Sequence, residues 1–118
     1  MEWTTELLPD GIERVILTGR MDSAGTEQID PRFAALTETR PALIVVDLAQ
    51  VPFLASMGIR TLLTNAKALA LHGGRMALAG PQPMVGTVLK HAGIDGLIPV
   101  YGDVDSACAA LRRPASRL

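Results

Sequence analysis

The sequence of 118 residues predicts a single α/β domain with a mixed, largely parallel sheet of four to five strands, an N-terminal hairpin and about four covering helices. Two observations predict this class. The aliphatic run of residues 43–46 ends at Asp47, and such a run is typical of a strand buried on both faces of a parallel sheet. The segment 56–72 then carries one apolar helical stripe, which predicts an amphipathic helix after that strand, with its core face formed by Ile59, Leu62, Leu63, Ala66, Leu69 and Ala70.

The first part of the chain predicts a β-hairpin followed by a helix. A weak strand over residues 3–8 and a stronger strand over 12–18 are separated by a proline-glycine turn. A helix is expected over residues 24–40. Because proline is tolerated mainly in the first turn of a helix, Pro31 also allows a late start or a break near residue 30, with Asp30 as the N-cap.

Strands and helices alternate through the rest of the chain. The glycine pair at residues 73–74 is expected to end the long helix. Pro99 places the last strand at or near a sheet edge, because proline donates no hydrogen bond to the ladder. The predicted elements are a buried strand over 42–48, a helix over 56–72, a strand over 75–79, a short helix over 83–91, a strand over 97–101 and a helix from Asp103 or Asp105 to Arg113. The domain would therefore span residues 1–113, with a flexible tail at 114–118.

The composition excludes several classes of function. Eleven basic residues against 12 acidic ones give a net charge of -1, so nucleic acid is not an expected partner. Cys108 is the one cysteine and lies in an alanine-rich segment, where it is expected to be a buried filler. No Cys/His spacing suggests a metal, and no nucleophile–histidine–acid grouping suggests an enzyme. No signal peptide or membrane-inserting run is recognised, so a cytoplasmic protein without a cofactor is expected.

Ser56 stands where the function is expected. A short loop after the buried strand delivers this serine to the start of a helix, where its hydroxyl can act as the N-cap. An anion placed there would meet free N–H groups and the positive end of the helix dipole. Local chemistry alone favours a plain helix cap, and Asp22 can likewise cap the first helix.

Three motifs in register resemble the STAS domains of bacterial anti-sigma factor antagonists. Together they cover nearly the whole chain in order and spacing. The motifs are Asp47-Leu48 with Phe53-Leu54-Ala55-Ser56-Met57-Gly58-Ile59, then Leu17-Thr18-Gly19-Arg20-Met21-Asp22, and Gly73-Gly74-Arg75-Met76-Ala77-Leu78.

The resemblance implies a phosphorylation-regulated, protein-binding switch. Such a domain binds an anti-sigma factor, often also a serine kinase, and thereby frees a sigma factor. The kinase phosphorylates a serine that falls on Ser56 here, which abolishes binding, and a phosphatase reverses the mark. The partner surface would comprise Asp22, Ser56, Met57, Arg60 and Thr61 of a monomer or weak dimer. Arg60 lies one helical turn after Ser56, where it can pair with a phosphate or remain an ordinary solvated arginine.

The sequence departs from the family pattern around the serine. Ala55 replaces an aspartate, Met57 replaces a second serine, and Arg60 replaces a second glycine. Ala55 and Met57 favour a second hypothesis, a non-phosphorylated STAS subunit of a transport system or a stress-signalling scaffold. A third, a small nucleotide-binding or catalytic domain, has little support because the glycine pair carries no phosphate-loop lysine.

Overall fold

The computed structural model describes residues 1–37 and 42–113, and these residues form five strands and four α-helices. In chain order the elements are β1 (Glu2–Leu7), β2 (Ile12–Thr18), α1 (Ser23–Thr37), β3 (Leu43–Gln50), α2 (Ser56–Leu71), β4 (Arg75–Ala79), α3 (Pro83–His91), β5 (Val100–Tyr101) and α4 (Val104–Arg112). Short 3-10 turns connect β1 to β2 and α3 to β5. The expected end of α1 at residue 40 and the expected tail at 114–118 lie outside the described residues.

The sheet has the strand order β1-β2-β3-β4-β5 and is mixed, as predicted. β1 pairs antiparallel with β2 as a hairpin, and all the other neighbours are parallel. In the centre, Val46 pairs with Val15 of β2 on one side and with Leu78 of β4 on the other. The prediction of an interior strand over residues 43–46 is therefore confirmed.

Both faces of the sheet are covered by helices, three on one face and one on the other. Side chains alternate between the two faces along β3, so Ile44 and Val46 pack on one face while Val45 packs on the other. The first face carries the larger core, to which α1, α2 and α3 contribute. The second face carries a smaller cluster with α4, and Cys108 is buried there as the predicted filler. Burial raises the pKa of the Cys108 thiol, which keeps it protonated at neutral pH.

Helix α1 is continuous from Ser23 to Thr37, with Pro31 inside it, so the predicted late start or break near residue 30 is wrong. The helix starts early because the Oδ1 of Asp22 accepts a hydrogen bond from the Gly25 N–H at 2.9 Å. Pro31 lies on the exposed side of the helix, where water can satisfy the carbonyl group that its missing N–H leaves free.

The core face of α2 was predicted only in part. Leu62 and Leu69 are fully buried, as expected. Ile59 and Leu63 pack against the core but are only half-buried, and Ala70 is exposed. The helix is rotated towards α1, which shifts the buried stripe away from these three residues.

The end of α2 follows the predicted glycine signal. Gly73 adopts a positive φ of 80°, and its N–H donates to the carbonyl of Ala70 at 3.1 Å. The N–H of Gly74 donates to the carbonyl of Leu69 at 2.8 Å. This pair of bonds is the Schellman motif, and it satisfies carbonyl groups that a helix end otherwise leaves unpaired.

The last strand is shorter than predicted but lies at the expected edge. Val100 and Tyr101 pair with β4, and the sheet ends with them. The carbonyl of Pro99 accepts from the Leu78 N–H at 2.9 Å, so the proline contributes an acceptor and needs no donor. Asp103 caps α4 by accepting from the Ser106 N–H at 2.7 Å, which selects Asp103 from the two predicted starts.

Candidate functional site

The turn that carries Asp22 lies against the loop that leads to Ser56. Met21 forms an isolated parallel bridge with Leu54. The Met21 N–H donates to the Phe53 carbonyl at 2.9 Å, and the Ala55 N–H donates to the Met21 carbonyl at 3.1 Å. The structure therefore brings the motif over residues 17–22 and the motif over residues 53–59 together at one end of the sheet, as expected.

A close approach at Gly58 makes this junction possible. A Cβ atom on Gly58 would lie 2.5 Å from Cδ1 of Leu54 and 2.8 Å from Cγ of Met21. It would also lie 3.0 Å from the Met21 carbonyl oxygen. Glycine thus lets the first turn of α2 sit directly on the turn between β2 and α1.

Ser56 is the first residue of α2, and the residue in the N-cap position is Ala55, whose side chain makes no capping bond. The prediction that Ser56 acts as the N-cap is wrong. The N-cap position falls on Ala55 because the Ala55 carbonyl already accepts hydrogen bonds from the N–H groups of Gly58, at 2.9 Å, and Ile59, at 3.2 Å. Ser56 itself is exposed. The helix start therefore has an accessible serine and no carboxylate or hydroxyl side chain as its cap.

Asp22 has the geometry of a helix cap. Its hydrogen bond from the Gly25 N–H is the main cause that lowers the pKa of the carboxyl group, and Arg20, 3.5 Å away from Nε to Oδ2, lowers it further. The carboxylate is therefore ionised at neutral pH. Of the two sequence-based roles for Asp22, capping α1 is observed, and a part in partner binding stays a prediction.

Arg20 and Phe53 form a contact that the sequence reasoning did not anticipate. The guanidinium carbon of Arg20 lies 4.0 Å from the centroid of the Phe53 ring, a cation–π arrangement. Both residues stood inside the recognised motifs, but nothing in the sequence indicated that they meet. The contact places a cation beside the loop that leads to Ser56, in addition to Arg60 on α2.

Met57 and Arg60 are exposed, as predicted, whereas Thr61 is not. Thr61 is only 5% exposed, and its hydroxyl donates to Oδ1 of Asp30 at 2.8 Å. Four residues after Met57, a helix has turned by about 40° more than a full circle, and here that rotation points Thr61 into the contact with α1. The expectation that Thr61 belongs to the exposed face is wrong.

Thr61 belongs instead to a polar seam between α1 and α2. Asn65, one turn further along α2, accepts from the Thr37 hydroxyl at 3.1 Å and donates to the Thr61 carbonyl at 2.8 Å. Above this seam lies an open groove of about 290 Å³ between the two helices. Its lining residues are Asp30, Ala34, Thr37, Met57, Arg60, Thr61, Thr64, Asn65 and Ala68.

The carboxylate at the end of the buried strand has a structural role. Asp47 is 6% exposed; its Oδ2 accepts from Nη2 of Arg14 at 2.7 Å, and its Oδ1 accepts from the Ala49 N–H at 3.0 Å. The bond to Asp47 raises the pKa of Arg14. Asp47 shares its sheet face with Val45, on the side opposite α2, so it takes no direct part in the site around Ser56.

Within residues 1–37 and 42–113, no group of three or more His, Cys, Asp or Glu side chains is arranged to hold a metal ion. None of the helices in the same residues is long and apolar enough to cross a membrane.

Comparison with known proteins agrees with the recognised motifs. Residues 9–107 match the STAS domain family. BtrV of Bordetella bronchiseptica, named as an anti-sigma factor antagonist, is 30% identical over 108 residues, which cover 92% of this chain and 93% of BtrV. The crystal structure of an anti-sigma factor antagonist from Mycobacterium paratuberculosis has a TM-score of 0.85 at 25% identity, covering 95% of this chain and 94% of that one.

The anti-sigma factor antagonist SpoIIAA of Bacillus shares the same fold. Its unphosphorylated form has a TM-score of 0.79 and its phosphorylated form a TM-score of 0.72, each at 20% identity. The matches cover 98% and 94% of this chain, respectively, and 100% of SpoIIAA in both cases. The family match over residues 9–107 and the identity to BtrV together establish that the chain belongs to the STAS-domain family.

Proposed function

We propose that this protein is an anti-sigma factor antagonist, which binds an anti-sigma factor in the cytoplasm and thereby frees a sigma factor to direct transcription. The observation that carries the proposal is the exposed Ser56 at the start of α2, packed beside the Asp22 turn, in a STAS domain that is 30% identical to BtrV. The activity is binding rather than catalysis and requires no metal or cofactor.

The partner surface centres on the first turn of α2. Met57 is 41% exposed and supplies an apolar contact between Ser56 and Arg60. Interface energy concentrates in a few central residues, and a flexible methionine adapts to the partner's shape. Asp22 lies at the edge of this surface, beside the bonds between Met21 and the loop. The fitting partner is an anti-sigma factor that is also a serine kinase.

Phosphorylation of Ser56 would switch binding off. The Ser56 oxygen attacks the γ-phosphorus of ATP, the bond to ADP breaks and the serine proton is released. The phosphate adds a charge of about -1.5 to -2 at neutral pH. The first N–H groups of α2 have no side-chain cap, because the residue at the N-cap position is Ala55. These N–H groups and Arg60 would stabilise the phosphate charge in the free domain. The fold therefore survives phosphorylation. The affinity of the complex falls, because the phosphate dianion must lose its bound water at the interface.

Ala55 and Met57 support a second candidate function. The family pattern that the sequence resembles has an aspartate before the serine and a second serine after it, whereas this chain has Ala55 and Met57. Without these polar neighbours, Ser56 would serve only as the first residue of the helix. The protein would then be a non-phosphorylated STAS subunit of a transport system or a stress-signalling scaffold.

Calorimetric titration with the anti-sigma factor of the same host tests the proposal. Wild-type protein and Ser56→Ala should bind equally, and Ser56→Asp should bind at least about tenfold more weakly, a loss of about 1.4 kcal/mol. Met57→Asp should also weaken binding, whereas Leu7→Asp, which changes a 70% exposed leucine on the hairpin, should not. Equal binding by Ser56→Ala and Ser56→Asp would contradict the switch and favour the second candidate.

Two finer parts of the proposal need separate measurements. A phosphatase that restores the binding of phosphorylated protein would complete the cycle. Sedimentation of the free chain should show a monomer or a weak dimer, and a tight dimer that buries Met57 would contradict the proposed partner surface.

A further inference from the structure

The outer face of α2 carries two exposed hydrophobic side chains, one at each end. Met57 in the first turn is 41% exposed, and Leu71 in the last turn is 85% exposed. Leu71 lies 14 positions after Met57, which corresponds to about 21 Å along the helix axis. Three exposed residues between them are spaced three or four positions apart, so that all five side chains lie along one side of the helix. This α2 stripe consists of Met57, Arg60, Thr64, Lys67 and Leu71.

The α2 stripe is positively charged. Helix α2 contains no aspartate or glutamate, and Arg60 and Lys67 are both exposed. The ion pairs within the described part of the chain involve other arginines and leave these two cations free. A partner that lies along α2 would therefore gain from acidic side chains at its centre.

The groove beside the α2 stripe suits a helix as the partner element. It runs between α1 and α2, and small side chains at Ala34, Thr64 and Ala68 leave it open. Amphipathic helices bind in such grooves through apolar residues spaced along one face. Small residues allow two helices to approach closely. A partner helix that contacts four turns of α2 must cross it at only a small angle.

We propose that the α2 stripe, from Met57 to Leu71, docks an acidic amphipathic helix of the partner protein. Apolar side chains of that helix contact Met57 and Leu71, and its acidic side chains face Arg60 and Lys67. The proposal rests on the proposed function, because it extends the binding surface at Ser56 and Met57 along the whole of α2.

Titration of the full chain with the same anti-sigma factor tests this extension. Leu71→Gln keeps a similar length and a good helix former but removes the apolar contact, so affinity should fall at least about tenfold. Leu7→Gln changes another exposed leucine, which lies on the hairpin and is 70% exposed, and should leave affinity unchanged. Both variants should keep the circular dichroism spectrum and melting temperature of the wild type.

The charge of the α2 stripe has a matched control as well. Lys67→Glu should weaken binding at low salt and reduce its dependence on ionic strength, because attraction between exposed charges is screened by salt. Lys90, the other lysine of the chain, is exposed on α3, and Lys90→Glu should change neither quantity.

The outcomes separate this inference from the proposed function. If Met57→Asp weakens binding while Leu71→Gln and Lys67→Glu do not, the extended docking surface is wrong and the proposed function stands. If the wild-type chain does not bind the anti-sigma factor, both are overturned. Binding to phosphatidylserine vesicles that Lys67→Glu abolishes, with unchanged protein binding, would assign the stripe to a membrane surface and overturn the inference.

Discussion

Replacing Gly58 by alanine is expected to destabilise the protein although alanine is the better helix former. The new Cβ would lie 2.5 Å from a methyl carbon of Leu54 and 2.8 Å from Cγ of Met21. Those side-chain atoms can shift, but the Met21 carbonyl oxygen at 3.0 Å belongs to the backbone that anchors the loop. Overpacking of this kind costs about 1–3 kcal/mol. The gain in helix propensity, at most about 1 kcal/mol, offsets only part of it.

Subtracting the full propensity gain leaves a net loss of up to about 2 kcal/mol in the free energy of unfolding, measured by urea denaturation with an unchanged m-value. Because the junction positions Ser56 beside Asp22, affinity for the anti-sigma factor should fall as well.

Gly86 provides the matched control in α3. The nearest atom to a Cβ on Gly86 would be Cγ of Pro81 at 3.9 Å, an ordinary contact. Gly86→Ala should stabilise the protein by about 0.5–1 kcal/mol through helix propensity alone. If Gly58→Ala is stabilised to a similar extent, the close packing of α2 on the Met21 turn does not constrain the site.

Three further predictions concern the core, the helix contact and the cap. Leu62→Ala should lower the free energy of unfolding by about 2–5 kcal/mol, because Leu62 is fully buried and its loss leaves a cavity; a loss below about 1 kcal/mol in urea denaturation would contradict the observed packing. Thr61→Val should cost about 1 kcal/mol by removing the bond to Asp30, and the same change in an Asp30→Ala background should cost less. In Asp22→Asn the side-chain amide still caps α1, but the negative charge of the carboxylate is lost. The pKa of Asp22 is lowered in the folded state, so its stabilising contribution is present above about pH 4 and disappears as the pH falls through the folded-state pKa. The stability difference between wild type and Asp22→Asn should shrink over that range, and a constant difference would be inconsistent with this role.

The order of strands and helices could be predicted because it depends on short, local patterns. The bounds of β2, β4 and α3 match the prediction, since each is limited by glycine, proline or a turn. The sequence left open whether α1 continues through Pro31, because this depends on which side of the helix meets solvent. No local pattern reports that orientation.

The site was predictable in position and less so in detail. The motifs placed Ser56 and the Asp22 turn together, and the bridge between Met21 and Leu54 shows how they meet. The burial of Thr61 and its bond to Asp30 depend on the rotation of α2 about its axis, which packing against α1 determines. Helix α2 begins at Ser56, as predicted, but its N-cap is Ala55, because the backbone carbonyl of Ala55 accepts the first helical hydrogen bonds without help from a side chain.

Phosphate mapping would establish whether Ser56 is the regulatory switch. Wild-type protein and Ser56→Ala would each be incubated with the cognate serine kinase and ATP, digested and analysed by mass spectrometry, and the intact products would be titrated with the anti-sigma factor. We expect a single phosphate on Ser56 of the wild type, none on Ser56→Ala, and loss of partner binding only for the modified wild type. Phosphate found only at other residues, or undiminished binding by protein phosphorylated at Ser56, would contradict this role of Ser56.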